Sequence, residues 1–162
     1  MPRSLDKFEA ITRAIARLPR KAVVSPAPEA PPVDPFDGRN IHPDLPRKVR
    51  TLFDDGHFPE ATVHAFKYLE EKIHHHSSIS TLTGQPLMMA AFDGTKINLN
   101  AFVTLTEKDE QEGYRFIFAG ATRGIRNPRA HDPSIVDDPD ICLDHLSFVS
   151  LLLRRLEQAG YK

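Results

Sequence analysis

The chain has 162 residues and a formal net charge of −1, with 21 Lys and Arg against 22 Asp and Glu. With 40 % hydrophobic and 27 % charged residues it has the composition of a globular protein, long enough for one core plus an additional segment. No apolar run approaches the roughly twenty residues of a membrane-spanning helix, and the single cysteine, Cys142, rules out an internal disulfide or a thiolate cluster. A near-neutral balance argues against a general nucleic-acid coat and leaves room for a local basic site. The opening stretch, MPRSLDKFEAITRAIARLPRK, is charged throughout and lacks the apolar core of a signal peptide, so a cytoplasmic, membrane-free protein is expected.

In residues 1–18, Leu5, Phe8, Ile11, Ile15 and Leu18 fall three and four apart and predict an amphipathic helix with Ser4 as its N-cap. Residues 19–38 hold six of the 14 prolines and read as an extended linker without core-forming pattern. The first helix is thus expected to be tethered, docking back, pairing with a copy of itself or meeting another, regulatory protein.

The main domain is expected over 39–160. Pro43 suits a first helical turn, followed by an apolar stripe of Leu45, Val49, Leu52 and Phe53, and Asp54-Asp55-Gly56 ends that helix. Pro59 opens the next, with Val63, Phe66, Leu69 and Ile73 inward. Residues 82–86 read as a turn and 87–92 as a short apolar helix or a buried strand. In 96–106, Ile97, Leu99, Val103 and Leu105 alternate, which predicts an extended, β-like insert. Thr106 with Asp109 reads as a capping box for a helix carrying Tyr114, Ile117, Phe118, Ala121 and Ile125, on which Gly113, Gly120 and Gly124 leave room for a close neighbour. Asp138-Pro139 is a helix start, and Cys142, Leu146, Val149, Leu153 and Leu156 form the last apolar face. The sum is a mainly α-helical bundle with one extended insert.

The chemistry concentrates in GIRNPRAH, residues 124–131. Pro128 lacks an N–H and disfavours the α conformation at Asn127, so the helix is expected to break near Arg126 and restart with Asn127 as N-cap. On an unbroken helix, residues five apart diverge by about 140°. A break would let Arg126 and His131 face one spot beside a fresh helix N-terminus. Guanidinium groups grip phosphate through paired hydrogen bonds, and histidine moves protons near neutral pH. Arg and His at a helix C-terminus are also favoured by the dipole alone, and Asp132, Asp137, Asp138, Asp140 and Asp144 follow as pairing partners.

EQEGYRFIFAGATRGIRNPRAH resembles the Ymh-type family, which belongs to the HEPN superfamily of helical ribonucleases. The superfamily signature is an arginine, a polar residue, a few variable residues and a histidine. Arg126 through His131 fit it. The likeness extends to residues 41–73 and to the leucine-rich end, LSFVSLLLRRLEQAG. It implies a HEPN-like helical bundle and a metal-independent endoribonuclease that leaves 2′,3′-cyclic phosphate and 5′-hydroxyl ends. Arg126, His131 and Asn127 would be catalytic, with Arg123 and Arg129 binding RNA and with no cofactor or metal. A homodimer that joins two motifs in one cleft is implied, as is a setting in phage defence, abortive infection or a toxin system. An antitoxin or another defence subunit could then meet the N-terminal helix. The alternative is a non-catalytic HEPN-like subunit that binds RNA or serves assembly.

A metal nuclease using His74, His75 and His76 or the aspartates is the third reading. Consecutive helical residues point about 100° apart, which does not favour one metal on all three histidines. For His42 and His57, capping or core hydrogen bonding is the expectation, and for Cys142 a place in the core.

Overall fold

Helix formation here follows from apolar stripes that must be covered. The computed structural model describes residues 34–162 together with Glu9, Thr12 and Arg13. The chain divides into two units, Met1–Pro32 and Val33–Lys162. In the first, the three described residues are helical, and Arg13 pairs with Glu9 at 3.2 Å. The expected stripe Leu5, Phe8, Ile11, Ile15 and Leu18 and residues 19–33 of the linker lie outside the described residues.

The second unit holds α1 (Arg47–Asp54), α2 (Phe58–Ser77), α3 (Gly84–Ala91), α4 (Leu105–Ala121), α5 (Asn127–His131) and α6 (Pro139–Gln158). A π turn, Thr122–Arg126, joins α4 to α5. α2 is the central element and packs against α1, α3, α5, the π turn and α6. Its Ala61, Ala65, Phe66, Leu69 and Ile73 are buried, and α6 answers with Cys142, Leu143, Leu146, Val149, Leu153 and Leu156. The two helices come close enough for Thr62 Oγ1 to lie 3.8 Å from the Cys142 sulfur, which itself sits 3.4 Å from the Phe58 carbonyl. α3 and α4 meet through Phe92 and Phe118, stacked 4.2 Å apart. Ahead of α1, Phe36 packs on Phe53, while Arg50 binds Asp34, Asp37 and Asp54.

The mainly helical expectation holds, and the extended insert does not. Among the described residues there is no strand, and residues 98–104 run as irregular loop. A strand needs a partner for its ladder. Here side chains take that place. The Leu99 N–H donates to Gln111 Oε1 at 2.8 Å and the Asn98 N–H to the Tyr161 hydroxyl at 3.1 Å. The buried Gln111 amide in turn donates to the carbonyls of Phe92 and Ile97. Ile97 and Leu99 are buried as the alternation implies, but Val103 and Leu105 are exposed.

The cap of α4 falls two residues earlier than the sequence suggests. Thr104 and Glu107 form the reciprocal capping box, because Glu107 reaches back to the N–H groups of both Val103 and Thr104. Likewise α1 starts after Pro46, not at Pro43, and Gly84 already belongs to α3. Among the described residues no atom comes within 4 Å of a Cβ built at Gly113, Gly120 or Gly124, so no described helix uses the space they leave. Asp138 caps α6 as expected, accepting from the Ile141 N–H at 2.8 Å.

Two substitutions test this layering by urea denaturation. Leu146→Ala, at a fully buried position, should cost about 2–5 kcal/mol. Asp138→Ala should cost ~1 kcal/mol through the lost cap. The Cys142 thiol, pushed up to about 11 chiefly by burial, should resist alkylation at pH 8 in the native protein and react on unfolding.

Candidate functional site

The motif helix does not break at Asn127. Asn127 keeps helical dihedrals, φ −63° and ψ −44°, and its N–H bonds back five residues to the Thr122 carbonyl. The π turn accommodates Pro128 by widening one turn of the ladder. The fresh helix N-terminus expected from the sequence is therefore not formed, and Asn127 makes no side-chain cap. Thr122, almost fully buried, anchors the turn by donating its hydroxyl to the Phe118 carbonyl at 3.0 Å.

Even so, Arg126 and His131 arrive at one place. With Arg129 and Ala130 they line one side of an open depression of about 390 Å³. The other side is α2, through Glu60, Val63, His64 and Lys67. Arg126 Nη1 donates to Asn127 Oδ1 at 3.0 Å. Its Nη2 lies 4.0 Å from Glu70 Oε2, and Glu70 is fixed by accepting the Gly84 N–H at 2.8 Å. Arg126 Nε is buried without a hydrogen-bond partner. A guanidinium held on one side and unsatisfied on another is suited to an anionic ligand. Burial first, then the positive charges of Lys48 and Lys67, hold the His64 imidazole below the ordinary histidine range.

The family model described as "Protein of unknown function (Hypoth_ymh)" matches residues 39–156, which covers both walls of this depression. The chain belongs to the Ymh family. No curated protein and no solved structure matches the chain.

Within the Ymh domain the remaining basic residues separate by environment. Arg123 is exposed on the π turn and is not part of the lining. Arg129 borders the depression, but its guanidinium makes a fork with Asp137, at 2.6 and 2.7 Å, and donates to the Ile125 carbonyl at 3.0 Å. This pair, 12 % and 3 % exposed, ties α5 to the loop before α6. His64, Glu60 and Lys67 carry no local signal in the sequence, since they are spaced three and four apart on α2 alongside its apolar stripe. Only the packing of α2 on α5 brings them to the motif.

The three consecutive histidines do not converge on one point, although the rings of His75 and His76 meet edge to face at 4.9 Å. His74 Nδ1 lies 2.6 Å from the Ile79 carbonyl, His76 packs its ring on Tyr161, and His75 is exposed. Among the described residues, the potential ligand atoms of His42, Asp44 and Glu157 lie within 4.8 Å of one another. His42 Nδ1 accepts the Asp44 N–H at 3.2 Å, which leaves the ring proton on Nε2, facing Glu157 at 3.1 Å. With the His42 N–H donating to Ser150 Oγ, the residue serves as a clasp between the segment before α1 and α6.

Arg129→Ala should lower stability by about 3–5 kcal/mol in urea denaturation, since it strands the buried Asp137 carboxylate. Arg126→Ala, whose guanidinium makes one hydrogen bond among the described residues and a 4.0 Å ion pair with Glu70, should move the midpoint far less.

Proposed function

We propose that the Ymh domain is a metal-independent endoribonuclease of the HEPN type. The observation that carries this reading is the pairing of an incompletely satisfied Arg126 with His131 in one open depression. A ribose 2′-oxygen attacks the adjacent phosphorus, the bond to O5′ breaks, and the products carry a 2′,3′-cyclic phosphate and a 5′-hydroxyl. Arg126 holds the non-bridging oxygens as negative charge accumulates. Asn127 orients Arg126 through its hydrogen bond. His131 transfers a proton to or from the reacting oxygens. Arg123 and the edge of Arg129 add positive potential for the strand.

The enzyme acts in this reading as a cytoplasmic homodimer, and as an effector of phage defence, abortive infection or a toxin system. The exposed face of α4, with Phe116, Ile117, Gly113 and Gly120, continues past Gly124 toward the motif and supports pairing with a second copy. Among the described residues no helix is long and apolar enough to cross a membrane. An antitoxin or a further defence subunit meets the N-terminal segment.

Purified protein should cleave RNA in EDTA and leave cyclic phosphate ends. Arg126→Ala and His131→Ala should each reduce the rate by on the order of 10²-fold or more with unchanged circular dichroism. A divalent-metal requirement with 5′-phosphate products would exclude the mechanism. RNA binding without cleavage would favour the non-catalytic subunit.

A further inference from the structure

Transesterification of RNA needs two proton transfers on opposite sides of one phosphorus. A base must take the 2′-hydroxyl proton and an acid must deliver one to the departing O5′. One imidazole cannot reach both oxygens in a single in-line displacement, so His131 alone leaves the reaction half served. The question is which group in the molecule stands ready for the other transfer.

The depression contains a second histidine. His64 lies on α2, His131 at the end of α5, and the two reach the same space from opposite walls with Arg126 beside them. On the rest of the lining, Glu60 stands one helical turn before His64 and Lys67 one turn after it. Arg129 is engaged by Asp137. Lys48, on α1, adds its positive charge. His64 is partly buried, and no hydrogen bond or ion pair to a described residue occupies its ring. It is not in the Arg-to-His motif, and nothing in the fold requires a histidine at this half-exposed point of α2.

We infer that His64 is the second proton-transfer residue of the site, acting as general base on the 2′-hydroxyl while His131 of the same chain acts as general acid on O5′. The inference rests on the ribonuclease reading above. The O2′ proton passes to His64, the O2′–P bond forms, the P–O5′ bond breaks, and the His131 imidazolium proton goes to O5′. Both rings return to their starting states by exchange with water.

The charges around His64 agree with this division. Burial and the two lysines disfavour its imidazolium, so the neutral ring, the form a base requires, persists below the ordinary histidine midpoint of about 6.5. Glu60 opposes this in sign but is not among the causes that set the shift. Lys67, on the lining, also attracts a phosphate flanking the scissile link, in line with a strand lying across α2.

The test uses the full chain and an oligonucleotide with a single ribose at a mapped cleavage position. A second version carries sulfur in place of the bridging O5′, a leaving group that needs no acid. Wild-type cleavage, and its loss in His131→Ala, establish that the ribonuclease reading stands; failure of either removes that reading and not this inference alone. Given both, His64→Gln should slow cleavage by on the order of 10²-fold at little changed KM. On the sulfur substrate His131→Ala should recover to within about tenfold of wild type, and His64→Gln should not. Retention of a rate within about threefold in His64→Gln, or recovery of that variant by sulfur, would overturn the assignment. Should His64→Gln fail to fold, the pH profile decides. The acidic limb of kcat/KM should have its midpoint below about 6.5, and the exposed Lys48→Glu, by replacing a repelling charge with an attracting one, should move it to higher pH. A limb that does not move would contradict a base at His64.

Discussion

Pro128 has no N–H to give, and its ring crowds the carbonyl four residues back, yet the helix that carries it continues. The structure reconciles the two through the π turn Thr122–Arg126, in which the Asn127 N–H bonds to the Thr122 carbonyl five residues earlier. Everything at the site depends on this local widening. It is anchored below by the buried Thr122 and above by the fork between Arg129 and Asp137. Between these anchors Arg126 faces Glu70 and the depression, and His131 follows at the end of the same helical run. π turns cost hydrogen-bond geometry, which is why they persist mainly where a side chain must be aimed.

The opposing wall is set by packing rather than by sequence proximity. α2 is buried along Ala61, Ala65, Leu69 and Ile73. With that stripe fixed against the core, the neighbouring positions Glu60, His64 and Lys67 face the motif. Small side chains at Ala61 and Ala65, both fully buried, let α2 lie close to its neighbours. The site is thus a by-product of how the central helix covers its apolar face, and its polar residues occupy the edge of that face.

Much of this architecture is legible in the sequence. The stripes on α2 and α6 were marked by residues three and four apart, and Asp138-Pro139 announced the start of α6. The motif itself pointed to Arg126 and His131, and the match over residues 39–156 places the chain in the Ymh family. Three features were not legible for physical reasons. The alternation in 96–106 suggests a strand, but pairing depends on a partner, and Gln111 and Tyr161 satisfy those N–H groups instead. The capping box could be read at Thr106 or Thr104, and only the reach of Glu107 to two N–H groups decides it. Proline rules predict a helix break at Asn127, and a π turn is the exception they do not cover. No local motif marks His64, because only the packing of α2 against α5 brings it to the depression.

The central claim is that the space between α2 and the motif receives a phosphodiester held by Arg126. It is tested most directly by nuclear magnetic resonance of the full chain with an oligonucleotide that carries 2′-deoxyribose at the scissile position and so cannot react. The account predicts that the Arg126 Nε–H signal, and the imidazole signals of His64 and His131, shift together and saturate at one concentration, while those of His42 and His75 stay in place. Saturation that moves His42 or His75 and leaves Arg126 unchanged would contradict it.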